Sequence, residues 1–145
     1  MTLPAPARDL VLLLARLGLG LVFIAHGWQK LVTNGVDGTA AFFDSVGVPL
    51  PTLAAWSATL VELVGGGLLV LGLAVPLAGG LLALDMVGAW LFVHRGSGVF
   101  VTENGWELVL ALGVGSLVLA AVGAGRHSVD SLLAARSGRR APATV

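Results

Sequence analysis

Three ionisable side chains stand where the sequence otherwise calls for hydrocarbon. Arg16 interrupts VLLLARLGLGLVFIAHGWQK, Glu62 lies within LVELVGGGLLVLGL, and Asp85 within LLALDMVGAWLFV. A charge at the bilayer centre costs about 2.5–3.5 kcal/mol even on lenient insertion scales, so such groups pair or face a polar interior. Counted inward from the ends of their apolar runs at about 1.5 Å per residue, all three lie roughly 12–16 Å deep. Equal depth predicts one cluster of Arg16, Glu62 and Asp85. Its formal charge of −1 leaves a carboxyl able to hold a proton, which is proton-relay chemistry. The plainer reading is an ion pair that only fixes helix order.

A second polar layer falls near the other membrane face. His26 and Lys30 are spaced i, i+4 and share a helix face. His94 closes a later apolar run, and Glu103 and Glu107 flank the start of the next. Histidine can hydrogen-bond a carbonyl, and a nearby glutamate can exchange its proton. With Trp28, Trp56, Trp90 and Phe92 as apolar walls, this arrangement suits a quinone. Ordinary interfacial anchoring explains the tryptophans equally well. His26 and His94 at matched depth also leave haem b open as a weaker alternative, with His127 outside. The chain has no cysteine. That excludes disulfides, thiol relay, cysteine-bound zinc, iron–sulfur clusters and covalent haem attachment, and no metal centre is expected.

These residues need helices to position them. The 145 residues are 57% hydrophobic and only 11% charged, with a mean hydropathy of +0.96, whereas soluble domains are about a quarter charged. Zero net charge suggests no nucleic-acid partner. Four stretches approach the ~20 residues that a spanning helix needs: 10–28, 52–73, 77–93 and 106–122. The sequence therefore predicts an all-α polytopic four-helix bundle forming one membrane domain. Arg16 inside the first run, and no small-residue cleavage site after it, argue for a retained helix over a signal peptide. Pro76 suits the first turn of the third helix. Phe42, Phe43 and Val46 predict a short interfacial helix in the first outer loop. The 21 glycines permit close helix–helix approach, notably Gly65–Gly67, Gly79, Gly80, Gly113 and Gly115. Arg8, Arg126, Arg136, Arg139 and Arg140 lie at the two ends, against Lys30 and Arg95 in the loops. This bias puts both termini in the cytoplasm. Ser128 is the expected N-cap of a short helix in a basic tail, 126–145, facing lipid headgroups.

Taken together, ARLGLGLVFIAHGWQKL, FFDSVGVPLP, LVELVGGGLLVLGL, HRGSG and GAGRHSVDSLL resemble the DoxX family of small bacterial membrane proteins, in order and spacing from Arg16 to Leu133. The family pattern falls on Arg16, His26, Gly27, Lys30, Glu62, Gly66, Gly125, Arg126, Ser128 and Asp130. Relatives include a membrane subunit of thiosulfate:quinone oxidoreductase and mycobacterial proteins associated with a superoxide dismutase and a sulfurtransferase. The resemblance implies a multi-pass protein of the bacterial inner membrane, in a complex linking sulfur, thiol or oxidative-stress chemistry to the quinone pool. The alternative is a non-catalytic scaffold for a partner complex, which predicts a filled interior rather than a cavity. A small carrier or channel would require an oligomer. The bilayer and a protein partner are the expected contacts, and a homo-oligomer is open.

Overall fold

A computed structural model describes residues 3–136 and 138. Within them every regular element is helical: α1 Ala5–Trp28, α2 Gly35–Ser45, α3 Pro51–Leu71, α4 Val75–Ala89, α5 Glu107–Val122 and α6 Val129–Arg136, with short π and 3-10 turns beside them. α1 runs on through a π-helical turn, Gln29–Thr33, and α4 through another, Trp90–His94. With these extensions three helices are long and apolar enough to cross a membrane: Ala5–Thr33, Pro51–Leu71 and Val75–His94. α5 is shorter, at 16 residues.

Prolines set the helix starts. Pro51 and Pro76 occupy first-turn positions, where the missing N–H costs nothing. Gly72 ends α3 in the left-handed conformation at φ 67°, the usual glycine stop. Only Gly72, Leu73 and Ala74 separate α3 from α4, so the two are antiparallel neighbours.

α1 packs along α3, α3 against α4 and α4 along α5, while α5 reaches back to α1. Glycine makes each close approach possible. A Cβ on Gly20 would stand 2.7 Å from the Gly66 carbonyl oxygen, and one on Gly66 would stand 2.8 Å from that of Gly20. A Cβ on Gly27 would meet Leu63 at 2.7 Å, and one on Gly79 the Ser116 carbonyl oxygen at 2.6 Å. Phe23, Leu69, Val75, Leu82, Met86, Leu112 and Leu119 fill the centre. The outward surface is apolar as well, with Leu14, Leu21, Leu60, Leu84 and Leu117 all exposed. That is the surface of a protein solvated by lipid.

The linker after α1 holds α2, whose Phe42 and Phe43 rings contact at 6.2 Å. Val46 lies just past its end as C-cap, so it is not part of the helical face expected with them. Asp9 on α1 accepts a hydrogen bond from the Arg126 backbone N–H at 3.1 Å, so both ends of the described chain share one end of the molecule. Arg139 and Arg140 lie outside the described residues.

The contact between Gly20 and Gly66 carries a test. Gly66→Val is expected to lower stability by about 1–3 kcal/mol through overpacking. Gly67, whose Cβ would meet nothing within 4 Å, should accept alanine with a change below about 1 kcal/mol. Thermal unfolding in detergent, followed by tryptophan fluorescence, compares the two.

Candidate functional site

The buried charges do not form the single cluster that equal depth suggests. They separate to opposite ends of the α1–α3 contact. A helical side chain tilts toward its own helix N-terminus. α1 and α3 run antiparallel, so Arg16 on α1 and Glu62 on α3 lean apart. Arg16 reaches toward the end where Asp9 meets Arg126, and there its guanidinium donates to the Leu69 carbonyl at 3.3 Å and to the His127 carbonyl. Leu69 lies seven residues beyond Glu62, about 10 Å along α3. The carboxylate whose field Arg16 feels is Asp130, not Glu62 or Asp85.

A clasp therefore closes that end. Gly72 is required there for space as well as for conformation, because a Cβ would collide with the Arg16 guanidinium. Asp130 accepts from the backbone N–H groups of Ala74 at 3.0 Å and Val75 at 3.4 Å, capping the start of α4. In return its own N–H donates to the Gly72 carbonyl at 3.0 Å. Ser128 Oγ accepts from the Ser131 N–H at 3.2 Å, the expected N-cap of α6. Gly125 sits at φ +72° with Leu12 3.1 Å from its would-be Cβ. Gly125, Arg126, Ser128 and Asp130 thus lock the segment after α5 onto α1, α3 and α4.

At the other end, Lys30 takes the place expected for Arg16. Its Nζ donates to both Glu62 oxygens, at 2.9 and 2.7 Å. The lysine side chain is 20% exposed and the glutamate side chain 4%, so the pair is nearly dry and its geometry is bidentate. It is the one ion pair among the described residues. Asp85, from α4, lies close to Glu62, with Lys30 as the nearby cation. One ammonium and two carboxyls are neutral together when one carboxyl carries a proton.

These three side chains line a cavity of about 510 Å³ between α2, α3 and α4, together with His94. Phe42 and Phe43 of α2, Phe92, Leu81 and Leu84 supply its apolar walls. Lys30 and His94 both stand on π-helical turns. Such turns shift helical register by one residue and often mark functional positions. The His94 Nδ1–H donates to the Asn104 carbonyl at 2.7 Å, which leaves Nε2 as the acceptor of the neutral ring.

Other expected members of this layer lie elsewhere. His26 is half-buried and outside the cavity lining, despite its i, i+4 spacing to Lys30, because the π turn begins between them. It does not share the cavity with His94. Glu107 accepts from the Val101 backbone N–H at 2.8 Å and thereby folds the turn before α5. Glu103 is exposed on that same turn, beside Gly98. Neither glutamate lines the cavity; the carboxyls that do are Glu62 and Asp85. Gly27 and Gly66 are α1–α3 contact points.

Three helices long and apolar enough to cross a membrane, with ionisable side chains lining one largely apolar cleft, define a helical membrane protein with a candidate site. Residues 11–95 match the DoxX family, and the chain belongs to that family. It is 41% identical over 81 residues to CatD of Bacillus subtilis, whose name carries a provisional oxidoreductase assignment. That match covers 56% of this chain and 58% of CatD, so it spans little more than half the length of that relative. An inner membrane protein of Escherichia coli, YphA, is 35% identical over 130 residues, 86% of this chain and 91% of its own. An uncharacterized membrane protein of Mycobacterium tuberculosis is 33% identical over 132 residues, 84% and 80% of the two chains. No solved structure matches the chain.

Two double-mutant cycles separate the two ends. Lys30→Met alone strands a buried carboxylate and is expected to cost about 3–5 kcal/mol, part of which Glu62→Leu should restore. Arg16→Leu and Glu62→Leu should instead add within about 0.5 kcal/mol, since they share no partner. Unfolding in detergent reads both. Strong coupling between Arg16 and Glu62 would contradict the geometry.

Proposed function

We propose that this protein is a four-span subunit of the bacterial inner membrane, with both termini cytoplasmic, that receives a quinone headgroup in the cavity beside Lys30. The observation that carries the reading is the cavity itself. It is large enough for a substituted ring, aromatic and aliphatic along its walls, and ends on a lysine, two carboxyls and a histidine. A scaffold would have no need of such a space beside a buried charged group. At 16 residues α5 is about 24 Å long, which a modest local thinning of the bilayer accommodates as a fourth span.

The residues fit the chemistry of a quinone. When bound, a quinone takes up two electrons and two protons to become the hydroquinone. The Lys30 ammonium has a third N–H beyond the two that hold Glu62, and it can hydrogen-bond a ring oxygen. The Asp85 carboxyl lines the same cavity and can exchange a proton there. His94 Nε2 can pass a replacement inward, because its ring is held by the Asn104 carbonyl near the loop surface. The chain supplies no electron donor of its own, lacking cysteine. The electrons then come from a partner that oxidises a sulfur compound, a thiol or a reactive oxygen species. The oxidoreductase assignment in the name of CatD supports the reading.

Protein purified in mild detergent is expected to carry close to one quinone per chain, measured by extraction and mass spectrometry. Ala54→Phe fills the cavity and should abolish that, whereas Val118→Phe on the outer face of α5 should not. Absence of quinone from native protein, or equal quinone in both variants, would contradict the proposal.

A further inference from the structure

A second cavity, of about 620 Å³, opens between α4 and α5. It is apolar along its length, between Ala83, Met86 and Val87 on one side and Val109, Gly113 and Leu117 on the other. Gly113 keeps it open, since a Cβ there would already press on the Met86 Cβ at 3.2 Å. Its head is different. Trp90, Trp106 and Arg95 gather there. Among the described residues Arg95 has no ion-pair partner. No carboxylate lines the trough, in contrast to the cavity beside Lys30.

The rims of the trough are exposed apolar side chains, Val87 at 50% and Leu117 at 56%, so it opens sideways onto lipid. From Ala83 to Arg95 is twelve residues, about 18 Å, close to the ~15 Å depth of one leaflet. An occupant must therefore be apolar over one leaflet and anionic at its end. A quinone ring would find here a lone cation and no group to exchange protons with. We propose that the trough is a glycerophospholipid site. One acyl chain lies between α4 and α5, the phosphodiester rests on the Arg95 guanidinium, and the Trp90 and Trp106 indoles sit at the glycerol level. Arginine suits a phosphodiester because its planar fork can donate two parallel hydrogen bonds. Two indoles at the height of the headgroup are the usual interfacial belt.

The test uses delipidated full-length protein in detergent, with native mass spectrometry after adding phosphatidylglycerol, phosphatidylethanolamine or diacylglycerol of the same chains. Either phospholipid is expected to stay bound at one per chain, well above diacylglycerol. Arg95→Gln should weaken that retention about tenfold, the loss of one charge-assisted contact. Gly113→Leu should weaken it comparably with Arg95 intact, and Arg8→Gln, a distant cation, should leave it unchanged. Three outcomes would overturn the proposal. These are equal retention of diacylglycerol, retention indifferent to Arg95 and Gly113, or a dimer cross-linked through Leu117 that covers the trough.

Discussion

The structure depends on the bidentate bond between Lys30 and Glu62. An ammonium and a carboxylate this deep in an apolar bundle are tolerable only together. Together they fix the end of α1 against the middle of α3, in the register that also lets Gly20 and Gly66 touch. Once that register is set, the α3–α4 hairpin delivers Asp85 to the same place, and the π turn of α4 brings His94 to the cavity mouth. The apolar contacts could tolerate a shift by one helical turn. The ion pair could not, because a shift would leave each charge facing hydrocarbon.

The opposite end of the molecule solves its own charge problem differently. Arg16 is wholly buried, yet its direct partners are backbone carbonyls, with Asp130 as the compensating charge at longer range. This works because α3 ends at Gly72, where the last helical carbonyls are electronegative and the Leu69 oxygen accepts from the guanidinium as well as from the Gly72 N–H. The segment after α5 then folds over the guanidinium and caps α4 through Asp130. Arg16 is thus a fastening for the segment after α5, and the cavity at the other end is left to Lys30, Glu62 and Asp85. The division has a functional sense. One end is clasped by side-chain-to-backbone hydrogen bonds, while the cavity at the other is bordered by α2 and two π turns as well as by α3 and α4.

Much of this was legible in the sequence. Apolar runs and prolines located the long helices and the short helix before Pro51, since each follows from local rules, and Gly65, Gly66 and Gly79 were visible as close-contact points. The intramembrane charges were also visible as the chemically important residues. Their pairing was not. Depth counted along Cα positions ignores the tilt of helical side chains toward the N-terminus, which parts Arg16 from Glu62 and brings Lys30 down to meet it. The π turns at Gln29–Thr33 and Trp90–His94 carry no sequence signal, so the exclusion of His26 could not be read from an i, i+4 spacing. Glu103 and Glu107 looked like proton partners because they lie near a helix start, where capping a turn is the commoner use of a carboxylate.

The central claim is that the space bounded by α2, α3 and α4 binds a quinone ring next to Asp85. Photo-labelling of the protein in native membranes with an azido-quinone, followed by peptide mapping, addresses it most directly. The account predicts labels on Phe42–Phe43 and between Leu81 and His94, displaced by excess unmodified quinone. Labels confined to α5 or to the outer lipid-facing surface, or labels that excess quinone does not displace, would contradict it.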